Sequence, residues 1–407
     1  MPRPPDQKPA AALPFSDSML LGIAQILIWG GSFFLLTVLA EPIHRDTGWS
    51  MTWIYGALTA GVLISALLSP RANIYIARGL GRKVLIGSSG IVALGLCIIA
   101  IAPNIPVFVA GWCVIGVGMA GGLYDPLFTT LGIRYGQQAR PAINAVTLIA
   151  GFTTTVIWPV LAWIVEPLGW RMTCGIYAGV LAITMAPLYL KALPKDIAAD
   201  PQASPSEASP SAAISSTQIA RSTYWLLSCV FSIAAVIMTG ISVQIIVLLQ
   251  GVGHSAASAI ALSALIGPAM VAMRVVTFSI KRLHPIWMGL ISAGFVAIGL
   301  VLILISPTLA AIGMVCYGIG NGLRALVRGT LPIALLPPHL LAPIMGKLTR
   351  SSWICQAFTP LICGTLITHL GALGTLLALT TLAVINLGLT LWLKRSVMTP
   401  SQHIPAK

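Results

Sequence analysis

Apolar residues fall in about twelve long runs separated by short polar stretches. Clear ones cover Met19 to Ala40, Val84 to Ala102 and Ala372 to Leu393. A bilayer core about 30 Å thick takes about 20 helical residues to cross. An unpaired backbone group inside lipid has no water to turn to, so each crossing is expected to be a helix. The pattern predicts segments 1 to 12 near 17–41, 50–69, 84–102, 106–133, 142–165, 172–190, 223–249, 257–279, 286–305, 308–330, 343–368 and 372–393. They leave a tail at 1–16, a linker at 191–222 and a tail at 394–407, with six segments on either side of the linker. The expectation is an all-α membrane protein of twelve transmembrane helices in two bundles, at 17–190 and 223–393.

Composition agrees, with 57% hydrophobic residues, 8% charged and a mean hydropathy of +0.94. A net charge of +14 would point to nucleic acid in a soluble chain. Here its distribution gives a different answer. Sixteen of the 23 Lys and Arg lie in loops or tails on one side, among them Arg71, Arg78, Arg82, Lys83, Arg134, Arg140, Lys191, Arg221, Lys281, Lys394 and Arg395. Only Arg45 and Arg171 lie in loops on the other. Cations mark the cytoplasmic side, so both termini are expected in the cytoplasm and no nucleic-acid partner is expected. The polar, Pro-rich start has no apolar core and reads as a tail rather than a signal peptide. Trp49, Trp53, Trp170, Trp225, Trp287 and Trp392 fall at segment ends and read as interfacial anchors. All seven Cys lie inside apolar segments, so a disulfide framework is not expected and buried packing is the plainer role.

The linker carries Pro201, Pro205 and Pro210 among many Ser and Ala and reads as flexible. A shift of 202 residues places Gly111, Gly116 and Gly118 on Gly313, Gly318 and Gly320, Pro141 on Pro343, and Leu168-Gly169 on Leu370-Gly371. Such register points to a parallel repeat, two six-helix halves related by a pseudo-two-fold axis along the membrane normal. Gly116-Val-Gly118-Met-Ala-Gly121 also satisfies the dinucleotide pattern G-x-G-x-x-G. That pattern needs a preceding strand and a helix beginning at the glycines. Mid-segment glycines instead let helix backbones approach closely. No H-E-x-x-H, Ser/His/Asp grouping or Walker loop occurs, so no enzyme activity, cofactor or metal site is expected.

Three stretches carry a resemblance. Gly81-Arg82-Lys83, between segments 2 and 3, fit the end of a G-x-x-x-D-R-x-G-R-R loop, with Ile74, Arg78 and Gly79 where the first Gly, the Asp and the Arg belong. Segment 4 keeps Gly116 and Gly118 of R-x-x-x-G-x-G but has Trp112 at the Arg, and segment 5 keeps only Pro159 of G-P-x-x-G-G. Tyr124-Asp125-Pro126 and Gly169-Trp170-Arg171 complete the set. The chain resembles the major facilitator superfamily over its length, in a bacterial branch that also holds monocarboxylate-type carriers. The resemblance implies a monomeric secondary transporter of the bacterial inner membrane, with Gly81, Arg82 and Lys83 in a gating loop. Its partners would be a small-molecule substrate, the lipid bilayer and, if coupled, protons.

Charge inside a membrane segment costs about 2.5–3.5 kcal/mol on the insertion scale and usually marks function. Asp125 alone among the acids lies well inside a segment. It is either the proton-coupling residue or a gate ion pair with Arg134 or Arg140, and the sequence leaves both open. Arg274, Arg324, Arg328, Lys347 and Arg350 lie in segments 8, 10 and 11, and no Asp or Glu follows Glu207. The resemblance places those segments around the central cavity. A small organic anion near Arg274 and Arg350 is therefore the expected substrate, with Arg324 and Lys347 as further cations. Gln25, Trp29, Gln244, Asn321, Trp353 and Gln356 are candidates for orienting it by hydrogen bonds. The rival expectation is proton-coupled efflux of a drug or toxic compound, a metalloid included. A membrane receptor that moves nothing is a third.

Overall fold

A computed structural model of the chain describes residues 13–194, 196, 210–279 and 283–398, with backbone alone over 210–222. Lys281 and Arg282, most of the expected linker and both outer tails lie outside the described residues. Among those described the structure is helical, with no strand. The helices are α1 (Phe15–Gly30), α2 (Leu35–Thr47), α3 (Met51–Ala77), α4 (Gly81–Ala100), α5 (Ile105–Gly122), α6 (Tyr124–Tyr135) and α7 (Arg140–Ala150). There follow α8 (Thr153–Ala192), α9 (Pro210–Gly251), α10 (Ala256–Ser263), α11 (Ile266–Ser279), α12 (Pro285–Ile305), α13 (Ala310–Leu335) and α14 (Pro338–Met398). Nine stretches among the described residues are long and apolar enough to cross a membrane, and one, Ile105–Ala192, has 88 residues, the length of several crossings.

Several expected segments are interrupted. Segment 1 breaks at Gly31–Phe34, segment 4 at Leu123, segment 5 at Gly151–Phe152 and segment 8 at 264–265. The break at Leu123 has a local cause. Pro126 has no N–H to donate to the Gly122 carbonyl one turn back, and its ring crowds that carbonyl. Leu123 turns extended (φ −79°, ψ −168°), and the Gln25 side chain supplies the missing donor from α1, Nε2 to Gly122 O at 3.0 Å. Segments 5 and 6, expected to be separate, are two helices that meet at a sharp kink at Gly169, and α8 denotes the pair. Likewise α14 joins segments 11 and 12 through Gly371. The backbone there is left-handed (φ 72° and 73°), which explains glycine at both positions of the repeat. Helix α9 starts at Pro210, inside the stretch expected as linker, with Pro at a position that favours helix starts.

The chain forms two compact units. The first runs to Ala203 and takes in Pro337–Arg350, and the second comprises Ser204–Leu336 and the chain from Ser351. In the first, α4 and α3 pack on α5, and α1 packs on α7 and α8. In the second, α12 and α11 pack on α13.

The repeat extends to individual contacts. A Cβ on Gly111 would meet Ile99 Cγ1 at 2.6 Å and Gly95 O at 3.1 Å, and one on Gly313 would meet Ile303 Cγ1 at 2.6 Å and Gly299 O at 2.7 Å. A Cβ on Gly118 would meet Ser88 O at 2.6 Å, and one on Gly320 would meet Ser292 O at 2.6 Å. Both glycine pairs thus face the same residue types on the preceding helix. The apparent dinucleotide pattern is helix packing, with Gly116 against the Gly61 carbonyl. Trp112, at the family's usual Arg, is fully buried, and its carbonyl receives the close approach of Gly61.

Candidate functional site

In the first unit the broken helices gather aromatic side chains. Trp29 lies 5.1 Å from Tyr124 and 5.7 Å from both Phe33 and Phe34, measured between ring centroids. Tyr124 stacks on Phe128 at 5.3 Å and 14°, and Phe34 meets Trp158 edge-on at 6.4 Å. Trp29 and the two Phe flank the break of segment 1, Tyr124 follows that of segment 4, and Trp158 follows that of segment 5. Gln25 holds two of these elements together. Its Nε2 serves Gly122 while its Oε1 accepts from Trp29 Nε1 at 3.2 Å. Tyr177 completes the brace, its hydroxyl donating to Leu27 O at 2.9 Å beside the break of segment 1.

Asp125 sits in the first turn of α6, 4% exposed, where the positive end of the helix dipole favours a carboxylate. Its Oδ2 accepts from Thr349 Oγ1 at 2.7 Å, and Thr349 is itself 3% exposed. The backbone of Pro70 lies against Gly346 one turn earlier, so residues 337–350 pack on α3 as well. Lys347 and Arg350 on this stretch are exposed.

The loop before α4 shows how its missing Asp is replaced. With Arg78 in that place, Asp196 supplies a carboxylate from beyond α8. Its Oδ1 accepts from Arg82 N at 2.9 Å and its Oδ2 from Lys83 N at 3.2 Å, capping the helix beginning at Gly81. Arg82 Nη1 donates to Leu193 O at 3.3 Å. On the outer side expected from the charge pattern, Trp170 Nε1 donates to Asp46 Oδ2 at 2.8 Å. Arg171 donates to Ala100 O and Ala102 O, 3.2 and 2.7 Å, at the C-terminus of α4. Trp170 is 2% exposed and packs on the half-buried Trp49 and on Phe108, so it is part of a packed knot. Trp53, Trp225, Trp287 and Trp392 are exposed.

In the second unit, α11 and α13 meet through side chains that the sequence marked. Arg274 Nε donates to Gly322 O at 3.3 Å, and Asn321 Nδ2 lies 3.8 Å from Met270 Sδ. Arg324 Nε donates to Asn321 Oδ1 at 3.2 Å, while its Nη2 contacts Met238 Sδ. Arg274 and Asn321 thus each bridge α11 and α13, through the Gly322 carbonyl and the Met270 sulfur, and Arg324 bonds to Asn321 within α13. Gln244 and Gln356 are half-buried on α9 and α14, and Trp353 is buried on α14. Sequence reasoning missed Asp196 and Thr349. The vacant Asp position in the loop was a signal for the first, and nothing in the sequence distinguished the second from other helical Thr. No group of three or more His, Cys, Asp or Glu suited to a metal occurs among the described residues, and the seven Cys are free.

A family profile for the Major Facilitator Superfamily matches residues 21–349. No curated protein matches the chain. Among solved structures the chain is similar to the human organic anion transporter MFSD10, at 14% identity and a TM-score of 0.72 over 95% of this chain and 100% of that one. It is also similar to FucP in the outward conformation (13%, 0.68, over 93% and 98%). A third is the proton:xylose symporter XylE bound to 6-bromo-6-deoxy-D-glucose (12%, 0.64, over 92% and 94%). At such identities these likenesses bear on the fold alone.

Proposed function

The chain belongs to the Major Facilitator Superfamily, and from that premise we propose that it moves a small organic anion across the inner membrane as a twelve-helix secondary transporter. Both termini lie in the cytoplasm in this reading, and the halves alternate in giving access to the substrate. The observation that carries it is the placement of Arg274 on α11 and Arg324 on α13, two helices that pack together, in a unit whose only Asp or Glu, in sequence, is Glu207. Guanidiniums on two packed helices of so acid-poor a unit suit a carboxylate ligand. Arg274 is the group we assign to it, since a planar guanidinium grips a carboxylate through two parallel hydrogen bonds. Arg350 is a second candidate on the other unit. The test is uptake of labelled mono- and dicarboxylates by proteoliposomes, with and without a pH gradient. Uptake of some member that Arg274→Gln reduces supports the reading, and no carboxylate uptake under any gradient counts against it.

A second reading has its own observation. The aromatic cluster around Trp29 and Tyr124 lies in the same unit as Asp125, and aromatic faces with a carboxylate suit a lipophilic cation. Proton-coupled export of such a compound, with Asp125 carrying the proton, is the alternative that the same uptake assay separates.

A further inference from the structure

In the second unit, Tyr317 of α13 belongs to an apolar core with Ala297 and Leu300 of α12 and Leu379 and Ala383 of α14. Its ring is packed there at 1% exposure, yet its hydroxyl has no hydrogen-bond partner. The side-chain oxygen of Asn386, on α14, is likewise buried and without a partner. Buried polar groups are nearly always paired, so two such groups on one cavity need a common explanation. Both line a cavity of about 30 Å³, and so does Ser292 of α12. The buried Ser292 hydroxyl gives its proton to Gly320 O at 2.7 Å and keeps its lone pairs.

These three groups specify their occupant. Asn386 Oδ1 only accepts, and Ser292 Oγ has already given its proton, so both call for a donor. The Tyr317 hydroxyl has a proton to give, and so calls for an acceptor. A group that only accepts, such as a halide, would leave Asn386 unserved, and one that only donates would leave the Tyr317 proton unserved. Water has two protons and two lone pairs and serves all three. A cavity needs about 10–15 Å³ of such volume to hold a water, so one or two fit here and an organic solute does not. We infer that this cavity is the site of a structural water, hydrogen-bonded to Ser292, Tyr317 and Asn386, that pins α12, α13 and α14 together. About three hydrogen bonds is the usual number for a buried water. Arg324 and Asn321 line the cavity too, but the water needs nothing from either. The site is independent of the chain's substrate.

The repeat shows that this pin belongs to one half. The shift of 202 residues sets Ile115 at the place of Tyr317, and Ile115 is fully buried. Ser88, whose carbonyl faces Gly118 as that of Ser292 faces Gly320, keeps the serine. The first unit therefore has an apolar side chain where the second has a hydroxyl to hydrate. Polar groups bonded across helices act as glue in lipid, where apolar burial gives little net drive between helices.

The experiment uses the purified full-length protein in detergent. Hydroxyl radicals generated by an X-ray pulse label a buried side chain where a bound water stands beside it. Tyr317 is expected to be labelled, and Phe108, equally buried at 1% exposure, is expected not to be. Asn386→Leu removes one of the water's partners at similar side-chain size and should lower the labelling of Tyr317. Melting temperatures of Tyr317→Phe, Asn386→Leu and the double variant give a second readout. Each single variant should melt lower, and the double should fall by less than the sum, because one water serves both side chains. Labelling of Tyr317 no greater than that of Phe108, labelling unchanged in Asn386→Leu, or strictly additive falls in melting temperature overturns the inference. The wild-type labelling decides the matter even if a variant fails to fold.

Discussion

Thr349 Oγ1 donates to Asp125 Oδ2 at 2.7 Å, tying the start of α14 to the first turn of α6. Both groups are all but fully buried, so this bond is shielded from the water that would weaken it. It gives Asp125 two roles that one pair of variants separates. If Asp125 couples protons, Asp125→Asn abolishes gradient-driven accumulation while exchange at equal pH persists, and Thr349→Val leaves the coupling ratio unchanged. If it serves only to hold α14, both variants lose accumulation and exchange together. Unchanged gradient-driven uptake in Asp125→Asn removes the coupling role.

Asp196 is predicted to stabilise α4 from outside the loop where the family keeps its carboxylate. Asp196→Ala should cost about 0.5–2 kcal/mol, the range for losing an N-terminal cap. Arg78→Asp in that background tests whether the loop's own position can take over. Thermal unfolding reads both, and a melting temperature equal to wild type in Asp196→Ala rules the cap out.

The paired glycine contacts predict matched sensitivities. Gly111→Ala and Gly313→Ala place a methyl within 2.6 Å of an Ile carbon on the neighbouring helix, and Gly118→Ala and Gly320→Ala within 2.6 Å of a Ser carbonyl. Each should lose about 1–3 kcal/mol or fail to assemble. Gly87→Ala and Gly294→Ala, where an added methyl meets nothing within 4 Å, should be tolerated. Folded yield by size-exclusion chromatography checks the set, and equal yields across it would contradict the packing account.

The charge pattern predicts topology. Reporters at Ala11, in the 205–210 stretch and at Gln402 should report cytoplasm, and those at Thr47 and His254 periplasm. A periplasmic signal from 205–210 would contradict the twelve-crossing arrangement.

The helical membrane fold was legible because lipid leaves the backbone few options. The repeat was legible at Gly111, Gly116 and Gly118 because close backbone contact tolerates little else. The helix breaks were not. Pro126 gave a hint, yet the donor that makes the break at Leu123 tolerable is Gln25, 97 residues earlier. For the same reason Gln25 reads in sequence as a candidate for substrate and in structure as a brace on backbone. Trp170 was read from its place at a segment end, and its burial depends on Asp46 and Phe108, which sequence does not bring near. Arg274 and Asn321 were both singled out, but their partners across α11 and α13, the Gly322 carbonyl and Met270, required the fold.

The central claim is the charge of the substrate, and binding to Arg274 variants tests it most directly. A panel of small carboxylates is titrated against purified wild type, Arg274→Gln and Arg274→Lys by calorimetry, with the cation tetraphenylphosphonium as the opposite probe. The account predicts that a carboxylate binds wild type, that Arg274→Gln weakens it by about 1.5–3 kcal/mol, and that Arg274→Lys restores part of the loss because the ammonium keeps the charge without the fork. Tight binding of tetraphenylphosphonium to wild type, with affinity unchanged in Arg274→Gln and no carboxylate bound, would contradict it and favour the exporter.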